Sequence, residues 1–270
     1  MLKYMFITDD ADVARHVVHA GVQRIFFDLE ILGKKERQGH LDTLISAHDL
    51  NDLPAVRAAI GNTELLVRVN PLHENTLYEI DTAIRCGADL LMLPMFKHEE
   101  ELQKFIQLVD ARAKVVALVE TPEAFSKIEN LVSIPGIDEM YIGLNDLSLA
   151  LGLNFMFEPL INGTLEYVTE VIKKAGIPFG FGGIARVGEG LLPAECLLGE
   201  HMRLGSHAVI LSRTFTRKAR TLPEIRKIMD VAYEIKRLKE VEIQCKKRTP
   251  SEVEADQHKV KEIINTIIST

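Results

Sequence analysis

Eight times in succession a short apolar or aromatic run gives way to an amphipathic helical stretch, and no other feature constrains the fold of this chain so strongly. The runs are Lys3–Ile7, Arg24–Asp28, Leu65–Val69, Leu90–Pro94, Val115–Val119, Met140–Ile142, Phe179–Phe181 and Ala208–Leu211. Each is too short to be a buried helix, and each is followed by enough residues for the helical crossover that parallel strands require. Helices are expected over Asp10–Ala20, Leu50–Ile60, Glu74–Cys86, Glu99–Asp110 and Pro122–Leu131. Further ones are expected over Asp146–Ala150, Leu160–Ala175, Gly190–Met202 and Pro223–Val241. A series of eight strand–helix units closes into a parallel barrel. An open dinucleotide-binding sheet would carry Gly-x-Gly-x-x-Gly after its first strand, and that spacing is missing. The expectation is a TIM (β/α)8 barrel with an extra C-terminal helix.

That extra helix sets the domain boundary. Residues 1–248 suffice for the barrel; Thr249-Pro250 then breaks the helix before it, and Ser251-Glu252-Val253-Glu254 reads as a capping box. The stripe Val260, Ile263, Ile264, Ile267 needs a surface to cover it, either this barrel or a neighbouring subunit, so segment 249–270 is a candidate for exchange between subunits. The three cysteines are too few and scattered for a disulfide framework, and the N-terminal apolar run stops at Thr8, too short for a secretory signal. Localisation is therefore expected to be cytoplasmic. A net charge of −7 without a long basic block argues against nucleic acid or a membrane as partner, and leaves a small-molecule carboxylate substrate open.

In such barrels the chemistry sits where strands end and the following loops begin. The polar residues there are Asp28, Glu30, Arg68, Asn70, Glu120, Asn145, Asp146, Ser212 and Arg213. Acids gathered at one mouth repel unless something positive joins them. Glu120 and Asp146 stand on adjacent strands and form a hard oxygen site suited to Mg²⁺ or Mn²⁺. Taken singly, Glu120 has a plainer role as a helix cap before Pro122, and Asp146 as the N-cap of Leu147–Ala150. Arg68 ends an apolar strand; its fork of donors suits a carboxylate or carbonyl, or an ion pair with Asp28 or Glu30, of which Glu30 is taken as the outer. Gly143, Leu144 and Asn145 lead into a helix N-terminus whose amides can grip a substrate carboxylate. Most histidines lie on expected helices away from the mouth; His40 and His48, after the second strand, are the two within reach, each with a plainer reading as a solvent-exposed side chain.

These strand ends, Phe27-Asp28-Leu29-Glu30, Arg68-Val69-Asn70-Pro71, Leu93-Pro94-Met95, Ala117-Leu118-Val119-Glu120-Thr121 and Gly143-Leu144-Asn145-Asp146-Leu147, resemble in order those of the HpcH/HpaI aldolase and citrate lyase β-subunit family, from about Arg24 to Phe215. The resemblance implies that Glu120 and Asp146 are metal ligands, that Arg68 binds substrate and stabilises an enolate, and that Glu30 stands behind a metal-bound water. It implies that the backbone of Gly143–Asp146 holds the carboxylate of a pyruvate-like fragment. It also implies a homo-oligomer, trimer or hexamer, with exchanged C-terminal helices. The chain departs from the family at Ile31, where pyruvate aldolases carry histidine and the citrate-lyase branch aspartate. The base is then His48, His40 or a metal-bound water. Gly33-Lys34-Lys35-Glu36-Arg37 is similar to the basic loop of the citrate-lyase branch.

The function expected first is a divalent-metal-dependent carbon–carbon lyase acting on a 2-oxo acid through a pyruvate-like enolate. The alternatives are a coenzyme A thioester lyase or condensing enzyme, and a barrel without catalysis, for which Ile31 speaks.

Overall fold

The computed structural model describes residues 1–33 and 48–269. Its strands β1 (Lys3–Ile7), β2 (Arg24–Asp28), β3 (Glu64–Arg68), β4 (Leu90–Leu93), β5 (Lys114–Val119), β6 (Glu139–Ile142), β7 (Phe179–Ile184) and β8 (Ala208–Leu211) pair in parallel in chain order. β8 closes back on β1, giving the eight-stranded barrel expected. The helices around it are α1 (Ala11–His19), α2 (Leu53–Ile60), α3 (Thr76–Arg85), α4 (Glu99–Val109), α5 (Pro122–Ser126) and α6 (Ile128–Leu131). They continue as α7 (Leu144–Ala150), α8 (Thr164–Lys174), α9 (Ala194–Leu204), α10 (Leu222–Ile228), α11 (Val231–Cys245) and α12 (Pro250–Ile268).

Two apolar cores follow from the strand period of two. Met5, Phe26, Leu66, Met92, Leu118 and Tyr141 fill the barrel, while Phe27, Val67, Leu91 and Val119 face outward into the larger core beneath the helices. The alternation positions the mouth: two residues beyond Phe26, Leu66 and Leu118 stand Asp28, Arg68 and Glu120. Tyr141 spans the interior, its hydroxyl donating to the Gly182 carbonyl at 2.6 Å and accepting the Ile210 N–H at 3.0 Å. Its ring leaves no room at Gly180, where an added Cβ would lie 2.5 Å from it and 2.4 Å from the Ala208 carbonyl.

The opposite end of the barrel is closed by charge. Arg24, 1% exposed, donates through both terminal nitrogens to Glu139 at 2.7 Å and through Nε to Glu64 at 2.9 Å; Lys3 reaches Glu64 at 2.7 Å and His207 reaches Glu139 at 3.2 Å. Burial favours the neutral form of Glu139, but the bonds from Arg24 and His207 outweigh it and hold the carboxyl well below its usual range. Removing one partner of a buried pair strands the other. Glu139→Ala is expected to cost about 3–5 kcal/mol of folding stability, measured by urea unfolding; a change under about 1 kcal/mol would show the cluster to be incidental.

Several element ends differ from expectation: Pro122–Leu131 divides into α5 and α6, and the helix expected from Leu160 starts at Thr164. Pro223–Val241 is two helices, because Asp230 caps a new one by accepting the Tyr233 N–H at 3.1 Å. The helix after β7 starts at Ala194 rather than Gly190. The final capping box is Thr249 with Glu252, two residues earlier than read, with Pro250 in the first turn. Helix α12 lies against α9 of its own barrel: Val260 is 2% exposed and Ile264 fully buried. Arg248 clamps the junction, bonding Asp256 at 2.5 Å and the Gly199 carbonyl at 3.0 Å. No helix among the described residues is long and apolar enough to cross a membrane.

Candidate active site

The register of β2 on β3 sets Asp28 beside Arg68. The guanidinium of Arg68 grips Asp28 with two bonds of 2.8 Å, from Nε and Nη2, and its Nη1 lies 3.1 Å from Glu30. Both acids are 1% exposed, so Glu30 is not the outer of the two as expected from sequence: one cation holds both. Burial disfavours the charge on Arg68, yet Asp28, Glu30 and Glu120 overcome it and raise its pKa above the ordinary arginine value. The Arg68 guanidinium carbon also stands 5.4 Å from the Phe26 ring centroid. Three of its five N–H groups face these acids. It is anchored as a fixed charge at the mouth.

Glu120 follows β5 and is 3% exposed. Its Oε1 accepts the Met95 N–H at 3.1 Å, an amide turned toward it by a left-handed backbone at Met95 (φ 56°). Burial, then the charge of Glu30, pushes the carboxyl well above the usual carboxylate range; Asp146 adds to this, while Arg68 and the Met95 amide pull the other way. The plainer reading of Glu120 as a helix cap fails, because Thr121 caps α5, accepting the Ala124 N–H at 3.2 Å. Asp146 is likewise no N-cap: α7 begins at Leu144 after Gly143, which puts Asp146 inside the first turn. Glu120 and Asp146 line one cavity of about 460 Å³.

Gly143 acquires a reason that sequence did not offer. Its φ of −83° asks nothing unusual of the backbone, but an added Cβ would stand 2.6 Å from Oε2 of Glu120 and 2.7 Å from its Cβ. Glycine is required there because the carboxylate occupies the space. Leu144 is buried, and Asn145 half-buried at the start of α7.

Two residues given looser roles by the sequence hold the frame. Asn70 accepts the N–H groups of Ile31 and Leu32 at 2.9 and 3.0 Å and donates to Glu79 at 2.8 Å, which pins the backbone leaving Glu30. His48 has an 8% exposed side chain, so the solvent-exposed reading fails. Its Nδ1 accepts the Asp28 N–H at 3.0 Å and its ring meets Phe27 edge-on at 5.0 Å. His201 is buried against Phe181, rings stacked at 3.9 Å, away from the mouth as expected. Ile31 is 51% exposed at the rim. His40 and the stretch Lys34-Lys35-Glu36-Arg37 lie outside the described residues.

The donors offered at the cavity are carboxylate oxygens, which match a hard dication in preference to zinc. Among the described residues no three or more His, Cys, Asp or Glu gather as a metal cluster, so an ion held by Glu120 and Asp146 would complete its shell with water and substrate oxygens.

At the carboxyl-end mouth of the parallel barrel, buried acids thus surround a fixed arginine, Arg68. The chain belongs to the HpcH/HpaI aldolase/citrate lyase family, whose model matches residues 4–178. A hydroxypyruvate/pyruvate aldolase of Rhizorhabdus wittichii is 36% identical over 83 residues, a match spanning 27% of this chain and 32% of that protein. An HpcH/HpaI aldolase of Desulfitobacterium hafniense superposes with a TM-score of 0.63 at 16% identity, over 85% of this chain and 94% of that one. A family protein of Burkholderia cenocepacia gives 0.62 at 19% identity, over 83% and 95%. At such identities the two superpositions speak for the fold alone.

Proposed function

We propose that the protein is a divalent-metal-dependent carbon–carbon lyase of the aldolase type, acting on a 4-hydroxy-2-oxo acid through the enolate of a pyruvate-like fragment. The observation that carries the reading is the buried carboxyl of Glu120, which lines one cavity with Asp146 and lies within the electrostatic reach of Arg68. Glu120 and Asp146 would hold Mg²⁺ or Mn²⁺, which when bound supplies Lewis-acid stabilisation of negative charge on the 2-oxo oxygen. Arg68, kept in place by Asp28 and Glu30, adds a preorganised positive charge on the same side. In cleavage the C3–C4 bond breaks, its electron pair enters the enolate, and the 4-hydroxyl gives its proton to water in the cavity as the aldehyde forms. The amides of Leu144 and Asn145, which open α7, are suited to the substrate carboxylate, while that of Gly143 is taken by the Val119 carbonyl at 3.0 Å. The hydroxypyruvate/pyruvate aldolase among the relatives favours this reaction over thioester chemistry.

The test is exchange of the pyruvate methyl protons in D₂O, followed by NMR, with Mg²⁺ or Mn²⁺ and with EDTA. Exchange dependent on metal and lost in Asp146→Asn supports the reading. Equal exchange with EDTA would refute it. We further propose a cytoplasmic homo-oligomer, trimer or hexamer, in which the face of α12 that covers α9 can instead be exchanged with a neighbour.

A further inference from the structure

The cavity at Glu120 and Asp146 extends past the two acids, and its remaining wall has a chemical character of its own. It is formed by Met95, Pro122, Leu149 and Ala150, with Thr121 and the pair Lys97–Glu123. We infer that this wall receives the carbonyl partner of the reaction, and that the partner is an apolar aldehyde rather than a hydroxylated or carboxylated one. The inference rests on the enolate reading above and names the second substrate.

The polar groups of that wall are already engaged. The Thr121 hydroxyl donates to the Phe96 carbonyl at 2.7 Å and accepts the Ala124 N–H. Lys97 stands 3.1 Å from Glu123, so its charge is matched by an opposite one at the same rim. Both side chains of that pair are about half exposed at the open rim, so the wall further in is Met95, Pro122, Leu149 and Ala150, where an apolar chain gains by burial and a hydroxyl finds no side-chain partner. Leu149 and Ala150 follow Asp146 by three and four residues and so share its face of α7. Leu149 is 37% exposed, an open leucine on the same side as the acid. A volume of about 460 Å³ lies within the range of pockets that enclose drug-sized ligands, well beyond a three-carbon acid. In the synthetic direction C3 of the enolate gives its electron pair to the aldehyde carbon, and the aldehyde oxygen takes a proton.

The experiment uses the full-length protein with pyruvate, Mn²⁺ and two aldehyde series: propanal to hexanal, and glycolaldehyde, glyceraldehyde and succinic semialdehyde. The expected result is a kcat/KM that rises about threefold to fourfold per methylene, the factor of a buried CH₂, and exceeds that of the polar aldehyde of equal length by about tenfold or more. Leu149→Asn should lower the ratio of hexanal to glyceraldehyde about tenfold. A flat series, or preference for the polar aldehydes, overturns the inference even where pyruvate exchange is intact. Absence of that exchange with either ion removes the enolate reading and this inference with it.

Discussion

Glu120→Gln will lose metal-dependent turnover and yet, in EDTA, melt at a higher temperature than the parent protein. The two effects share one cause. Burial and the charges of Glu30 and Asp146 lift the pKa of this carboxyl, so folding favours its protonated form. The unfolded chain releases that proton at the ordinary carboxylate pKa and the metal-free folded chain at a higher one, so the parent loses stability as pH rises between the two values. Glutamine carries no charge to desolvate, so the advantage of the variant should be small within the ordinary carboxylate range and grow as pH rises above it, by about 2–4 °C for each kcal/mol. Turnover should fall by at least about 10²–10³-fold, the size of effect when one electrostatic stabiliser is removed. Because proton and cation compete for the same oxygen, affinity of the parent for Mn²⁺ should increase with pH and binding should release protons. Thermal melts with and without EDTA, with calorimetric titration of Mn²⁺, read all of this. A variant that melts earlier than its parent in EDTA near pH 8 would contradict the account.

Arg68→Ala should fail in both folding and catalysis, and the two failures can be separated. The substitution leaves Asp28 and Glu30, each 1% exposed, without the guanidinium that holds them. Stranded charges of this kind cost about 3–5 kcal/mol. Loss of the positive charge beside the developing enolate should lower kcat/KM by about 10²–10³-fold in addition. Asp28→Asn, added to Arg68→Ala, removes one stranded charge and should recover part of the folding loss with no recovery of turnover. Urea unfolding and pyruvate exchange on the single and double variants make the comparison. If the double variant regains activity along with stability, Arg68 is only a structural counter-ion.

The barrel was legible because its signal is repetitive: eight strand–helix units leave few alternatives. The mouth was legible for a related reason, since the alternation that buries Phe26, Leu66 and Leu118 also aims Asp28, Arg68 and Glu120. What escaped depends on register and on distance along the chain. An ion pair of Arg68 with Asp28 or Glu30 is among the readings of the sequence, but only pairing of β2 with β3, which sets Asp28 directly opposite, shows that one guanidinium holds both. The Arg24–Glu139 pair bridges 115 residues, and neither residue carries a local sign of it. Two overlapping stretches, Thr249–Glu252 and Ser251–Glu254, both satisfy the capping-box spacing, and only the structure chooses the earlier. Gly143 is read for its place before a helix N-terminus, because sequence shows a glycine but not the carboxylate standing where its side chain would be.

Closing the barrel also sets an order of events during synthesis. β1 takes its second neighbour only from β8, with Lys3 against Ala208, and Glu242 on α11 fastens the chain start by accepting the Leu2 N–H at 3.0 Å. A ribosome adding about 5–20 residues per second needs roughly 10–40 s to pass from one to the other. Through that interval the emerging polypeptide holds a sheet whose first strand has an open flank, the kind of edge that recruits other chains. The protein should therefore depend on a chaperone's shelter more than a helical bundle of equal length would, a debt incurred by joining first strand to last.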